Sequence, residues 1–201
     1  MNGANAADLV LLLPELILVG TALVLILAAR RIQNGTIAGA GTVIAAMAAV
    51  VASVWLLPDI PKTGFGGMIS LDGYSQFFKV LIGSALVLSA LLSARHVYAE
   101  SVRCVEYHAL LLLASTGMMF AVSSLDLLTL YLGLELMTLC SYILVGITIQ
   151  KSTSNEAAIK YFLLGSFASA LLLYGIALVY GVTGSTDFSA IASALSGREL
   201  G

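Results

Sequence analysis

The chain has 201 residues, of which 60% are hydrophobic and 10% charged, and its formal net charge is −2. Globular domains average about 25% charged residues, and a core of this size cannot hide so much apolar surface. Composition therefore excludes a soluble enzyme, and the absence of a basic patch excludes a nucleic-acid-binding protein.

The elements expected of such a chain are membrane-spanning helices of about 20 apolar residues each. The lead from Met1 to Asp8 is short, has no basic n-region and is expected to carry no cleavable signal. The first span is expected over residues 9–29, closing at Arg30 and Arg31. Pro14 and Glu15 read as a helix first turn, with proline where an N–H is free anyway and the carboxylate at the positive dipole end. The second span, over 36–57, is rich in alanine and glycine and ends at Trp55, an interfacial aromatic, and Pro58.

Residues 59–76 form the longest polar connection, and their glycines with the Met68–Ile69 pair predict a weak hairpin-like excursion. Asp72 is placed to cap the third helix, whose apolar run covers 77–97, with Lys79 at its edge. A charged loop from Arg95 and His96 to Glu106 follows. His96 and His108 lie near span ends, share no ligand spacing with other side chains, and read as interfacial. Cys104 and Cys140 have no metal-type spacing, which argues against a disulfide or an iron–sulfur cluster.

The fourth span, over 107–123, joins the fifth almost directly, which makes the two antiparallel neighbours, with Asp126 as N-cap. The fifth, over 125–149, carries Glu135 near its middle. An ionisable group there costs roughly 2.5–3.5 kcal/mol on insertion scales and points to function by default. Tyr131, Glu135, Thr138 and Tyr142 follow helical spacing and form a semi-polar stripe on one face. Thr153 with Glu156 predicts a capping box for a sixth helix running to Tyr180. Lys160 lies on the face of Glu156 and within ion-pair reach, either as a channel group or as a cation snorkelling to the interface. Gly165, Ser166, Ala168, Ser169 and Ala170 make a small-residue packing surface.

With about six spans, Arg30, Arg31, Arg95, Arg103 and Lys151 fall on one side, and Lys62, Lys79 and Arg198 on the other. The positive-inside rule makes the first side cytoplasmic and puts both chain ends outside. Glu135, Glu156 and Lys160 then sit at staggered depths, as a proton path requires.

Three stretches carry a resemblance. The first opens at Glu106-Tyr-His-Ala and continues through Tyr142. The second runs from Asn155 through Lys160 to Gly165, and the third is Leu173-Tyr-Gly to Val179-Tyr-Gly181. Together they closely resemble the N subunit family of bacterial proton-translocating NADH:quinone oxidoreductase, respiratory complex I. The likeness is strongest over 106–184 and looser before it. It implies an all-α integral membrane protein, the N-terminal portion of an antiporter-like subunit of about fourteen helices. In that reading 1–105 is a three-helix transmembrane segment with an external loop at 58–76. Residues 106–184 begin the proton-translocation domain, and 185–201 are an external tail. The resemblance implies a subunit without its own redox centre, with NADH, FMN, iron–sulfur clusters and quinone in partner subunits. Those partners would be other membrane subunits, especially neighbouring antiporter-like and small ones, in the bacterial inner membrane. The family's essential channel glutamate matches Glu135, and channel-associated ionisable positions match Glu156 and Lys160. His108 departs from the family's usual aromatic residue. The later helices of the family, with their lysines, do not occur in this chain. Two other classes stay open: a cation/proton antiporter subunit acting without NADH, and a purely structural membrane subunit.

Overall fold

The computed structural model describes the backbone of residues 6–29, 35–57, 60–99 and 104–197, and their side chains except those of 6–7 and 94–99. Arg30, Arg31, Pro58, Asp59, Arg103 and Arg198, and the side chains of Arg95 and His96, lie outside that description.

Proline sets the first break. The helix α1 (Ala6–Leu11) stops at Leu12 and α2 (Leu13–Ala28) starts afresh, with proline in its first turn. Pro14 has no N–H to return to the carbonyl one turn back, and its ring clashes there, so one continuous helix from residue 9 does not form. The first expected span is thus two helices. Five helices follow: α3 (Gly35–Trp55), α4 (Gly73–Ala99), α5 (Cys104–Ser123), α6 (Leu127–Val145) and α7 (Ser152–Thr183). All five are long and apolar enough to cross a membrane, and the 16-residue α2 is a shorter apolar helix. The chain is an all-α integral membrane protein, with five candidate crossing helices and the shorter apolar α2 among the described residues.

Helices α2 to α5 form a ring in which α2 meets α3 and α5, and α4 meets α3 and α5. Their core is built on small residues. Ala38, Ala45, Ala46 and Ala49 of α3 pack with Leu18, Ala22 and Leu25 of α2, Leu86 of α4, and Leu112 and Met119 of α5. With no hydrophobic drive between helices in lipid, close van der Waals approach of small side chains supplies the association. Helix α6 packs on α5, and α7 on α6. Only 6% of the α7 span is buried, against 50% for α5, so α7 is the outer helix of the described chain.

The weakly signalled excursion is a hairpin, β1 (Lys62–Gly64) paired antiparallel with β2 (Ile69–Leu71). Its turn passes through Gly66 and Gly67 at φ 69° and 94°, a region glycine enters without steric penalty. The hairpin reaches across the bundle end. The Leu125 N–H donates to the Met68 carbonyl at 2.8 Å, the Leu127 N–H to Thr186 at 2.9 Å, and the Phe188 N–H to Leu125 at 3.0 Å. One backbone-bonded layer therefore joins the hairpin, the α5–α6 turn and the segment after α7. All three lie at one end of the bundle, as alternating spans require. Residues expected as a tail form a further helix, α8 (Phe188–Ser196), capped by Asp187.

Candidate functional site

Glu135 is placed by glycine. Where α5 crosses α6, Gly117 and Gly133 face each other. A Cβ on Gly117 would lie 2.6 Å from the Gly133 carbonyl oxygen, and one on Gly133 would lie 2.8 Å from that of Gly117. The two backbones therefore touch, as in other small-residue crossings. This fixes α6 two residues before Glu135. Asp126 caps the same helix, accepting from the Leu128 and Thr129 N–H groups at 2.9 and 3.0 Å.

From that fixed helix Glu135 reaches α7. The Ser169 hydroxyl donates to Glu135 Oε1. Tyr131, one turn earlier on α6, presents its phenol to the same carboxylate. Tyr142, two turns later, is buried. Its ring stands edge-on to Tyr161 at 4.9 Å and to Phe162 at 5.7 Å, and its hydroxyl rests on Gly165. No side chain larger than glycine fits at residue 165 while Tyr142 stays there. Of the stripe read from the sequence, Tyr131 lies beside Glu135, while Tyr142 packs separately against Tyr161, Phe162 and Gly165 of α7. The Thr138 hydroxyl instead donates to the Glu135 backbone carbonyl at 3.1 Å.

Glu156 and Lys160 form an ion pair on α7, with side chains 64% and 70% exposed in the described chain. Lys160 lies about 13 Å along α7 from Ser169 and on the opposite helix face. The structure thus pairs Glu156 with Lys160 but does not bring them to Glu135. The expected capping box is absent. Helix α7 begins at Ser152 after Lys151 with no side-chain cap. Ser154 donates to the Val145 carbonyl at 2.7 Å and Asn155 to that of Ile149 at 3.0 Å, which ties α7 to the end of α6 instead.

Sequence reasoning missed Ser169, which reads as one small packing residue among several. It also placed Glu15 and Lys79 near helix ends, as a dipole partner and an edge cation. Both are buried inside the ring, with Lys79 Nζ 2.7 Å from Glu15 Oε1. His108, expected at an interface, is fully buried, and neither ring nitrogen has a hydrogen-bond partner among the described residues. No cluster of three or more metal-ligating side chains occurs among them.

Residues 124–200 match the family described as NADH:quinone oxidoreductase/Mrp antiporter, TM. The chain is 39% identical over 190 residues to NADH-quinone oxidoreductase subunit N 2 of Rhizobium meliloti, covering 93% of this chain and 39% of that protein. It is 41% identical over 197 residues to subunit N of Sphingopyxis alaskensis, covering 96% and 40%. Residues 124–200 thus match the NADH:quinone oxidoreductase/Mrp antiporter membrane family, and nearly the whole chain is similar to subunit N.

Solved structures agree. The fold matches a chain of respiratory complex I from Thermus thermophilus with a TM-score of 0.72 at 28% identity, covering 91% of this chain and 42% of that one. It also matches a chain of the archaeal membrane-bound sulfane sulfur reductase with a TM-score of 0.78, covering 94% and 40%. At 22% identity that second likeness shows the fold alone. The chain spans about two fifths of the length of the curated relatives it matches, 39% and 40% for the two above. The family match includes Glu135, Glu156, Lys160 and Ser169, while Glu15 and Lys79 lie outside it.

Proposed function

We propose that this chain forms part of a membrane subunit that translocates protons in NADH:quinone oxidoreductase, with Glu135 as a proton-carrying group. The observation that carries this is the half-buried carboxylate at the α6–α7 interface, bonded by the Ser169 hydroxyl with the Tyr131 phenol beside it. A carboxyl group in that position can take a proton from one side and release it to the other. Hydroxyls next to it, donor and acceptor alike, can pass the proton on. The relatives named as subunit N support the assignment to this complex.

Electron transfer from NADH through FMN and iron–sulfur clusters to quinone belongs, in this reading, to partner subunits. This chain would contact neighbouring antiporter-like and small membrane subunits. Glu156 and Lys160 continue the path on the outer face of α7, where further helices of the subunit would cover them. The hairpin end faces outside the bacterial inner membrane, as the distribution of basic residues argues.

Replacing Glu135 with Gln tests the reading through coupled quinone reduction in membranes with matched amounts of complex. The rate should fall with assembly intact, and an unchanged rate rejects the relay. The matched family also names Mrp antiporters, which favours cation/proton exchange without NADH as the second reading. Sodium-dependent transport in the absence of NADH would select it.

A further inference from the structure

Helices α2 and α4 face each other across the diagonal of the four-helix ring, and Glu15 and Lys79 reach toward each other there. The side chains are 1% and 0% exposed, and the contact is 2.7 Å. Yet neither Glu15 oxygen nor Lys79 Nζ makes a directed hydrogen bond among the described residues. One turn before Lys79, on the same face of α4, Gln76 is also fully buried, and neither end of its amide has a partner. Toward the hairpin, Leu11, Leu56 and Leu71 close the bundle in an apolar plug.

An ion pair that serves packing alone needs its remaining lone pairs and protons satisfied to offset desolvation. This one leaves them open, beside an amide that can both donate and accept. Buried polar groups with free capacity are the usual hosts of internal water. Resting on the proton-translocating reading, we propose that Glu15, Lys79 and Gln76 form a second proton-binding site, separate from Glu135. In this site internal water delivers one proton to Glu15. An O–H bond forms on the carboxylate, Lys79 remains an ammonium and turns to the Gln76 carbonyl oxygen, and release to water restores the ion pair. Gln76 is the positioning residue, since it stabilises whichever partner is left charged.

The test uses membranes containing the assembled complex. A double variant, Glu15→Gln with Lys79→Met, removes both charges at similar volume, and Glu135→Gln serves alongside it. The proposal predicts normal assembly of the double variant, with protons pumped per NADH lowered as they are in Glu135→Gln. It also predicts a protonated-carboxyl infrared band that appears on NADH addition and disappears in Glu15→Gln. Wild-type pumping in the double variant overturns it. Should that variant not assemble, Glu15→Asp decides, because it keeps the pair and must shift the band. An unshifted band, or loss of assembly there too, makes the pair a packing lock and overturns the proposal. If Glu135→Gln pumps normally, it is the translocation reading itself that has failed.

Discussion

The Ser169 hydroxyl on α7 donates to the Glu135 carboxylate on α6, making the one carboxylate in mid-span of α6 a contact between two helices. A hydrogen bond to a charged group contributes about 1.5–3 kcal/mol. Losing it should slow proton hand-over without abolishing it. Ser169→Ala is expected to assemble and to pump more slowly than the parent but faster than Glu135→Gln. Ser169→Thr, which keeps the hydroxyl, should recover most of the rate. Initial rates of NADH-driven acidification, normalised to complex content, check both.

The crossing of Gly117 and Gly133 leaves no room for a side chain. Overpacking a well-packed contact costs typically about 1–3 kcal/mol, and here the clash is with backbone. Gly117→Val is expected to lower the amount of subunit in the membrane and the thermal stability of what remains. Gly20→Ala is the matched control, since a Cβ there meets nothing within 4 Å. Quantitative immunoblots of membranes and unfolding temperatures give the comparison. Equal levels for both variants would contradict the close crossing.

Asp126 ties the α5–α6 turn to the segment after α7. Burial raises the proton affinity of its carboxyl, but hydrogen bonds from Thr186, Thr129 and the Leu128 amide outweigh that and hold it below the ordinary carboxylate value. A carboxylate depressed by folding contributes stability above its unfolded value, near about 3.9, which is lost as pH falls through the lower folded value. The complex should therefore lose thermal stability below about pH 4, and part of that loss should vanish in Asp126→Ala. At neutral pH the same variant should be less stable by about 0.5–2 kcal/mol, the usual cost of a lost N-cap.

Lys160 separates two physical roles. Arg keeps the charge and can snorkel, but it cannot be deprotonated. A proton-path lysine must change protonation, so Lys160→Arg is expected to assemble and to pump less per NADH. A fully active Arg variant would assign Lys160, with its ion-paired Glu156, to the interface.

The residues explain what could be read from sequence and what could not. Glu135 was legible because one charge in a long apolar run needs no tertiary information to stand out. Asp126 and Asp72 were legible because capping is local: Asp72 accepts from the Ser75 N–H at 2.7 Å, within a single turn. The α7 start was misread for the complementary reason. Ser154 and Asn155, between the two residues of the supposed capping box, donate to carbonyls at and just after the end of α6. Glu156 pairs with Lys160, and a local capping pattern contains none of these partners. Ser169 resembles any small packing residue until its partner on another helix is known. Glu15 and Lys79 each lie near a helix end, where a cap or a snorkelling cation is the ordinary reading. Only the closure of the four-helix ring brings them together.

Whether Glu135 carries protons shows in the count of protons moved per NADH oxidised. In sealed membranes with equal amounts of assembled complex, Glu135→Gln should lower that ratio, and Glu135→Asp should keep part of it. A Gln variant pumping at the parent ratio would rule out proton carriage by Glu135 and leave it as a hydrogen-bonding contact between α6 and α7.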